Sequence, residues 1–132
     1  MQGTRLAEIT DGTSNTLLVG ERPPGHSLDF GWAFAASGQD GEGTLDSTLG
    51  VNEVNLHTSG IPEIDACPSG PYFFSPGRID NPCDQFHYYS LHSGGANFLF
   101  ADGSVHFLSY GVSNDVMRAM ATMYGGEVVD LP

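Results

Sequence analysis

The sequence predicts a mainly β domain of the α+β class: an antiparallel sheet ending in a C-terminal β-hairpin, followed by one packed helix. Three observations predict it. Gly (18) and Pro (8) supply about a fifth of the 132 residues, a turn density that suits short strands better than a helix bundle. Asp102-Gly103 separates two apolar runs, 96–101 and 104–109, which is a strong hairpin signal. Helical spacing of apolar residues is clearest at the end of the chain, through Val116, Met117, Met120, Ala121, Met123 and Tyr124.

The elements follow in order. Asp11-Gly12 marks a turn, and Thr13-Ser14-Asn15 continues it. Residues 16–21 read as a strand that ends before Pro23-Pro24-Gly25. Phe30-Gly31-Trp32-Ala33-Phe34-Ala35 alternates large and small side chains, the period-two pattern of a second strand. Residues 37–65 are irregular, with a strand hint only over 51–56. Residues 66–85 read as a surface excursion, and 86–91 as a strand beside the hairpin, joined to it by Ser93-Gly94-Gly95. A type I′ turn at Asp102-Gly103 would pair Ala101 with Ser104. Phe100 would then face Val105 and Phe98 would face Phe107, all four in the core, with Leu99 and His106 on the other face. Ser113 is the expected N-cap of the helix, Asp115 suits its positive end, and Gly125-Gly126 stops it. The Met-rich stripe is expected to dock on the sheet. Neither an internal repeat nor a second domain is visible, so residues 1–132 read as one head-like domain.

Charge excludes several functions. Sixteen acidic residues stand against four basic ones, all arginine, for a net charge of −12. Such a surface repels phosphate backbones and anionic bilayers, so neither nucleic acid nor a membrane surface is an expected partner. Apolar runs fall short of the ~20 residues of a membrane span, and Met1-Gln2-Gly3-Thr4 opens in polar sequence rather than a signal peptide. Cys67 and Cys83, the only cysteines, flank a Pro/Gly-rich loop. They read best as a disulfide, which implies an oxidising compartment. Two buried free thiols are the alternative, and zinc lacks the support of a C-x-x-C pair.

Chemistry-bearing motifs are sparse. The chain holds no P-loop, dinucleotide fingerprint, nucleophile elbow or H-E-x-x-H. Asp11-Gly12-Thr13 resembles one aspartic-protease half-motif, but that chemistry needs two facing carboxylates. Asp40, Glu42 and Asp46 form an oxygen-rich, Gly-flexed stretch, the candidate calcium site, although the spacing is not that of an EF-hand. His87, His92 and His106 are the candidate ligands for copper or zinc, against the plainer reading of scattered, hydrogen-bonded histidines.

Three strings carry a family resemblance: Ile9-Thr10-Asp11-Gly12-Thr13-Ser14-Asn15-Thr16 with Gly20-Glu21, then Cys83-Asp84-Gln85-Phe86-His87, then the run from His92 to Val105 with nine residues between His92 and Asp102-Gly103. With Gly125-Gly126-Glu127-Val128-Val129, the chain resembles the C-terminal part of a large prepilin-like family of planctomycetes defined by the His-x9-Asp-Gly motif. The resemblance implies a pseudopilin-like β-rich head that follows a type IV prepilin signal and a long hydrophobic helix. It implies an extracellular, periplasmic or cell-surface location and partners among other pilin-like subunits. It brings no established catalytic residues.

Of the motif residues, His92 is expected to form a buried polar network with Asp11, Asn15 and Glu21 that holds loops against the sheet, with a His/carboxylate metal or acid-base site as the functional alternative, while Asp102 and Gly103 are accounted for by turn chemistry. A direct His92–Asp102 dyad is not expected, because five strand residues span about 16 Å. Partners for His92 are expected from segment 11–21. The expected function is a non-catalytic surface or secretion-system head. The alternative is an extracellular metal-dependent enzyme or carbohydrate-binding module, acting on surface polysaccharide through Trp32, Tyr72, Tyr88 or Tyr89.

Overall fold

A computed structural model describes residues 5–23 and 50–127. The expected strand at 30–35, Trp32 and the calcium candidates Asp40, Glu42 and Asp46 lie outside them. The described residues form a mainly β, α+β arrangement. Strands β1 (Leu17–Gly20), β4 (Gly95–Phe100) and β5 (Val105–Ser109) make an antiparallel sheet in the order β1-β4-β5. Strands β2 (Asn52–Glu53) and β3 (Tyr72–Phe73) make a separate antiparallel pair. Helix α1 (Pro62–Asp65) is a single turn, α2 (Asn114–Met120) follows the hairpin, and 3-10 turns occupy Leu6–Glu8 and Pro82–Phe86.

The core forms on one face of the larger sheet. Ala96, Phe98 and Phe100 alternate inward from β4 and meet Leu108, Phe74 and the buried Met117 and Met120 of α2. Phe98 takes edge-on contacts from Phe74 (5.2 Å) and Tyr88 (5.5 Å). The Met stripe is thus a docking face, filled by flexible thioethers. The Ser113 hydroxyl caps α2 by accepting the Val116 N–H, as expected of an N-cap serine. The helix ends at Met120, short of the expected Tyr124; beyond it the Thr122 hydroxyl donates to the Ala119 carbonyl (2.9 Å), and the Met123 carbonyl accepts the Thr10 and Asp11 N–H groups.

The hairpin differs from expectation by one residue. Leu99 pairs with Val105, Phe98 with His106 and Asn97 with Phe107. The loop holds three residues: Gly103 N–H donates to Phe100 O (3.0 Å), and Phe100 N–H donates to Ser104 O (2.9 Å). Gly103 has φ +88°, as expected, but Asp102 does not share its positive φ. This is a type I turn closed by a left-handed glycine, not a type I′ turn. The cause lies in Asp102, whose Oδ1 accepts the Ser104 N–H (2.8 Å) and hydroxyl (2.6 Å). A one-residue shift exchanges the faces of a strand. Val105 and Phe107 therefore stand on the open face, and His106 turns to the core side, edge-on to Phe100 at 4.9 Å.

A second cluster sits under the surface excursion. Cys67 and Cys83 are joined as a disulfide, their Cα atoms 5.4 Å apart, and pack with Ile64 and Phe86. The strand expected over 86–91 is absent. Pro82 and the Asn81 side chain, which accepts Cys83 N–H, start a 3-10 turn there. Beyond it the backbone is held by side chains: the Tyr110 hydroxyl accepts Ser90 N–H, and the Ser90 hydroxyl accepts His92 N–H.

Gly103→Val is expected to cost about 1–2 kcal/mol, all of it from backbone conformation, because a side chain there meets open space. Denaturant unfolding measures it, and an unchanged midpoint would refute the left-handed glycine.

Candidate functional site

The motif residues occupy three separate positions. The first is a carboxylate cradle. The Asp11 Oδ1 accepts Gly126 N–H (2.9 Å), and Oδ2 accepts Gly125 N–H (2.8 Å) and the Thr122 hydroxyl (3.2 Å). The Gly126 amide, aided by the Gly125 amide and the Thr122 hydroxyl, holds the Asp11 carboxyl below its usual value against some desolvation. Asn15 braces the loop by donating from Nδ2 to Asp11 O (3.3 Å) and from its N–H to Gly12 O (3.0 Å). This tethers the first loop to the segment after α2, more than a hundred residues away.

The second is a clamp at the end of β1. Glu21 Oε2 accepts both Asn97 N–H (2.8 Å) and Asn97 Nδ2 (2.9 Å), and the Asn97 carbonyl accepts Glu21 N–H (3.0 Å). The other oxygen, Oε1, stands 3.3 Å from His92 Nε2. The structure thus brings Glu21 and His92 together, and Glu21 belongs to the segment from which a His92 partner was sought. The His92 side chain is 59% exposed, however, so it is not the buried group the sequence suggested. Its ring lies edge-on to Phe107 at 6.5 Å, on the rim of a shallow groove floored by Pro76, Gly77 and Tyr110.

The third is the hairpin tip. Asp102 is held low by the Ser104 hydroxyl and amide, and it belongs to the turn rather than to His92. The tip is tied back to the first loop: Asp102 N–H donates to Thr13 O (3.0 Å), and Ala101 N–H donates to Thr16 O (2.9 Å).

The three candidate metal histidines have separate partners. His87 is buried between Asp84 Oδ1 (3.2 Å) and the Tyr88 carbonyl (3.1 Å). His106 reaches Ser104 Oγ (3.0 Å), and His92 reaches Glu21. Among the described residues no group of three or more His, Cys, Asp or Glu side chains is placed to hold a metal ion.

Sequence reasoning missed a fourth cluster beside the disulfide. Buried Asn55 donates from Nδ2 to the carbonyls of Ile64 (2.9 Å) and Cys67 (3.0 Å), and its Oδ1 accepts His57 N–H. His57 adopts φ +54°, with ring nitrogens at Asp65 O (2.7 Å) and Ser69 Oγ (3.0 Å). The Ser59 hydroxyl, with the Ser59 and Gly60 amides, holds the Asp65 carboxyl below its usual value. Asn97 was missed too, although a lone amide inside the run 96–101 was a visible signal.

The fold and these contacts define a small α+β domain whose acidic side chains organise loops. A family model described as a protein of unknown function (DUF1559) matches residues 1–115, and the chain belongs to that family. No curated protein and no solved structure gives a match.

Glu21→Ala strands the Asn97 N–H and side-chain amide, so a loss of about 1–2 kcal/mol is expected in chemical denaturation. His92→Ala removes an exposed contact with Glu21 and an edge-on contact with Phe107, and should cost less than about 1 kcal/mol. Equal losses would contradict the assignment of Glu21 as the clamp.

Asp11→Ala is expected to melt below wild type at neutral pH. A carboxylate whose folded pKa is depressed adds stability above its ordinary value, here 3.8. That difference is lost as pH falls below 3.8, and a gap that persists undiminished at pH 2 would contradict the cradle.

Proposed function

We propose that this chain is the non-catalytic exposed head of a pseudopilin-like cell-surface or secretion-system protein. The observation that carries the reading is how the motif side chains are used. Asp11 holds the Gly125 and Gly126 amides, Glu21 holds Asn97, and Asp102 closes a turn. Each stabilises a loop that the sheet alone would leave loose, and His92 leans on Glu21 at the surface. The Cys67–Cys83 disulfide suits an oxidising, extracytoplasmic setting. Among the described residues no helix is long and apolar enough to cross a membrane, so in this reading anchoring is the task of another segment.

Tyr72, Tyr88 and Tyr89 support a structural role over a sugar platform. Tyr72 stacks on Phe86 at 4.9 Å and donates its hydroxyl to Pro68 O. Tyr88 packs edge-on to Phe98, and Tyr89 is buried. Burial pushes the phenols of Tyr88 and Tyr89 above their usual value.

Antibody raised against the chain tests the proposal on the cells that make it. Labelling of intact cells, with Cys67 and Cys83 oxidised in the recovered protein, is the expected result. Recovery only from the cytoplasm, with both thiols free for alkylation, would overturn it. Stoichiometric calcium, copper or zinc in the purified protein, with polysaccharide cleavage lost on its removal, would replace it with the enzyme reading.

A further inference from the structure

The two edges of the larger sheet are built differently. Strand β1 carries a bulge between Leu17 and Val19 and ends at Gly20. Strand β5 runs through five unbroken pairs with β4, from Val105 to Ser109, without a bulge. Its sequence, Val105-His106-Phe107-Leu108-Ser109, contains no Pro, Lys, Arg, Asp or Glu. Natural edge strands are usually blunted by such residues or by bulges.

The hydrogen-bond pattern fixes which backbone groups face away. Tyr110 N–H donates to Gly94 O and Ser104 O accepts from Phe100 N–H, so the even-numbered residues of the hairpin arm point to β4. The N–H and C=O groups of Val105 and Phe107, and the Ser109 N–H, point outward. Among the described residues none of these has a hydrogen-bond partner. The side chains beside that edge are apolar and open, with Val105 63% and Phe107 51% exposed. Val19 continues the open face across Leu99.

We propose that the β5 edge is an interface at which a second copy of this chain adds its own β5, antiparallel, about a two-fold axis at Phe107. The edge is self-complementary in that register. Phe107 meets Phe107 of the second copy through the outward backbone groups, Val105 meets Ser109, and His106 meets Leu108. No two charges of like sign face each other in that register, in a chain whose net charge is −12. A strand of five residues buries much less than a standard interface, so the contact is weak, with a Kd on the order of 0.1 mM. The mutual repulsion of two acidic copies is long-range, while the joint itself is uncharged. Salt that shortens the screening length from about 10 Å to about 3 Å therefore tightens the pairing. A basic partner strand would be released by the same salt. The pairing rests on the strand edge alone, so its failure leaves the head reading standing.

Sedimentation equilibrium and amide exchange by NMR on the 132-residue chain test this across concentration. The expected result is a monomer–dimer equilibrium that strengthens several-fold between about 0.1 and about 1 M NaCl. The Phe107 and Ser109 amides gain protection as dimer forms, while the already paired His106 and Leu108 amides do not change. Phe107→Lys weakens association at least tenfold. A chain that stays monomeric at about 1 mM in high salt overturns the proposal, as does association that leaves the Phe107 and Ser109 amides unprotected. The wild-type amide pattern decides the matter if Phe107→Lys fails to fold.

Discussion

The register of the β4–β5 hairpin is the constraint on which the rest of this structure depends. A strand has two faces, and one residue of slip exchanges them. With Leu99 opposite Val105, the inward set is Ala96, Phe98, Phe100 and Leu108, and α2 brings Met117 and Met120 down on it. With Phe100 opposite Val105, Phe107 would enter the core and Leu108 would leave it. The choice is made at the tip, where Asp102 binds the Ser104 amide and hydroxyl and so selects a three-residue loop. A local side-chain contact thereby sets the composition of the core and the character of the sheet's open face.

The N-terminal segment then locks that hairpin in place. Its carbonyls at Thr13 and Thr16 receive the Asp102 and Ala101 amides, Glu21 grips Asn97, and Asp11 reaches the turn after α2. The motif that runs from Asp11 to Glu21 thus touches both ends of the sheet and the exit of the helix. Such distributed contacts couple the loops to the core, so loosening one carboxylate loosens a strand end rather than a side chain alone. The Cys67–Cys83 bond does the corresponding work for the excursion between β2 and the hairpin, where it packs with Ile64 and Phe86.

How much of this was legible in the sequence follows from the range of each cause. The Ser113 cap, the positive φ of Gly103, a strand within 16–21 and the docking methionines all arise within a few residues, and each could be read. The hairpin register could not, because Asp-Gly suits two loop lengths and the Ser104 contact decides between them. Residues 86–91 carried strand-like composition, yet the Ser90 N–H goes to the Tyr110 hydroxyl rather than to a strand, and the Ser90 hydroxyl turns to the His92 N–H and the Gly95 carbonyl. The partners of Asp11 were hidden by distance: Gly125-Gly126 read as a helix stop, and nothing local says that their amides hold a carboxylate. His92 and Glu21 were recognisable as members of one motif, but the exposure of His92 depends on where the Gly94-Gly95 link leaves it.

The scarcity of cations explains the manner in which these loops are built. With four arginines against sixteen acids and no lysine, most carboxylates cannot find an ion pair. Arg78 and Asp80 form one at the surface. Elsewhere the backbone supplies the positive partner: Glu8 takes the Arg5 amide, Glu53 that of Gly50, Asp65 those of Ser59 and Gly60, and Asp84 that of Arg78. Asp11, Glu21 and Asp102 do the same. A hydrogen bond from a neutral amide to an ionised oxygen is stronger than a neutral pair and is screened less by salt than a surface ion pair. It also demands close approach of the backbone, and three of these carboxylates take glycine amides, at Gly50, Gly60 and the Gly125-Gly126 pair. An acidic, glycine-rich composition and a loop-rich fold are in this chain one design: the glycines expose amides, and the carboxylates collect them.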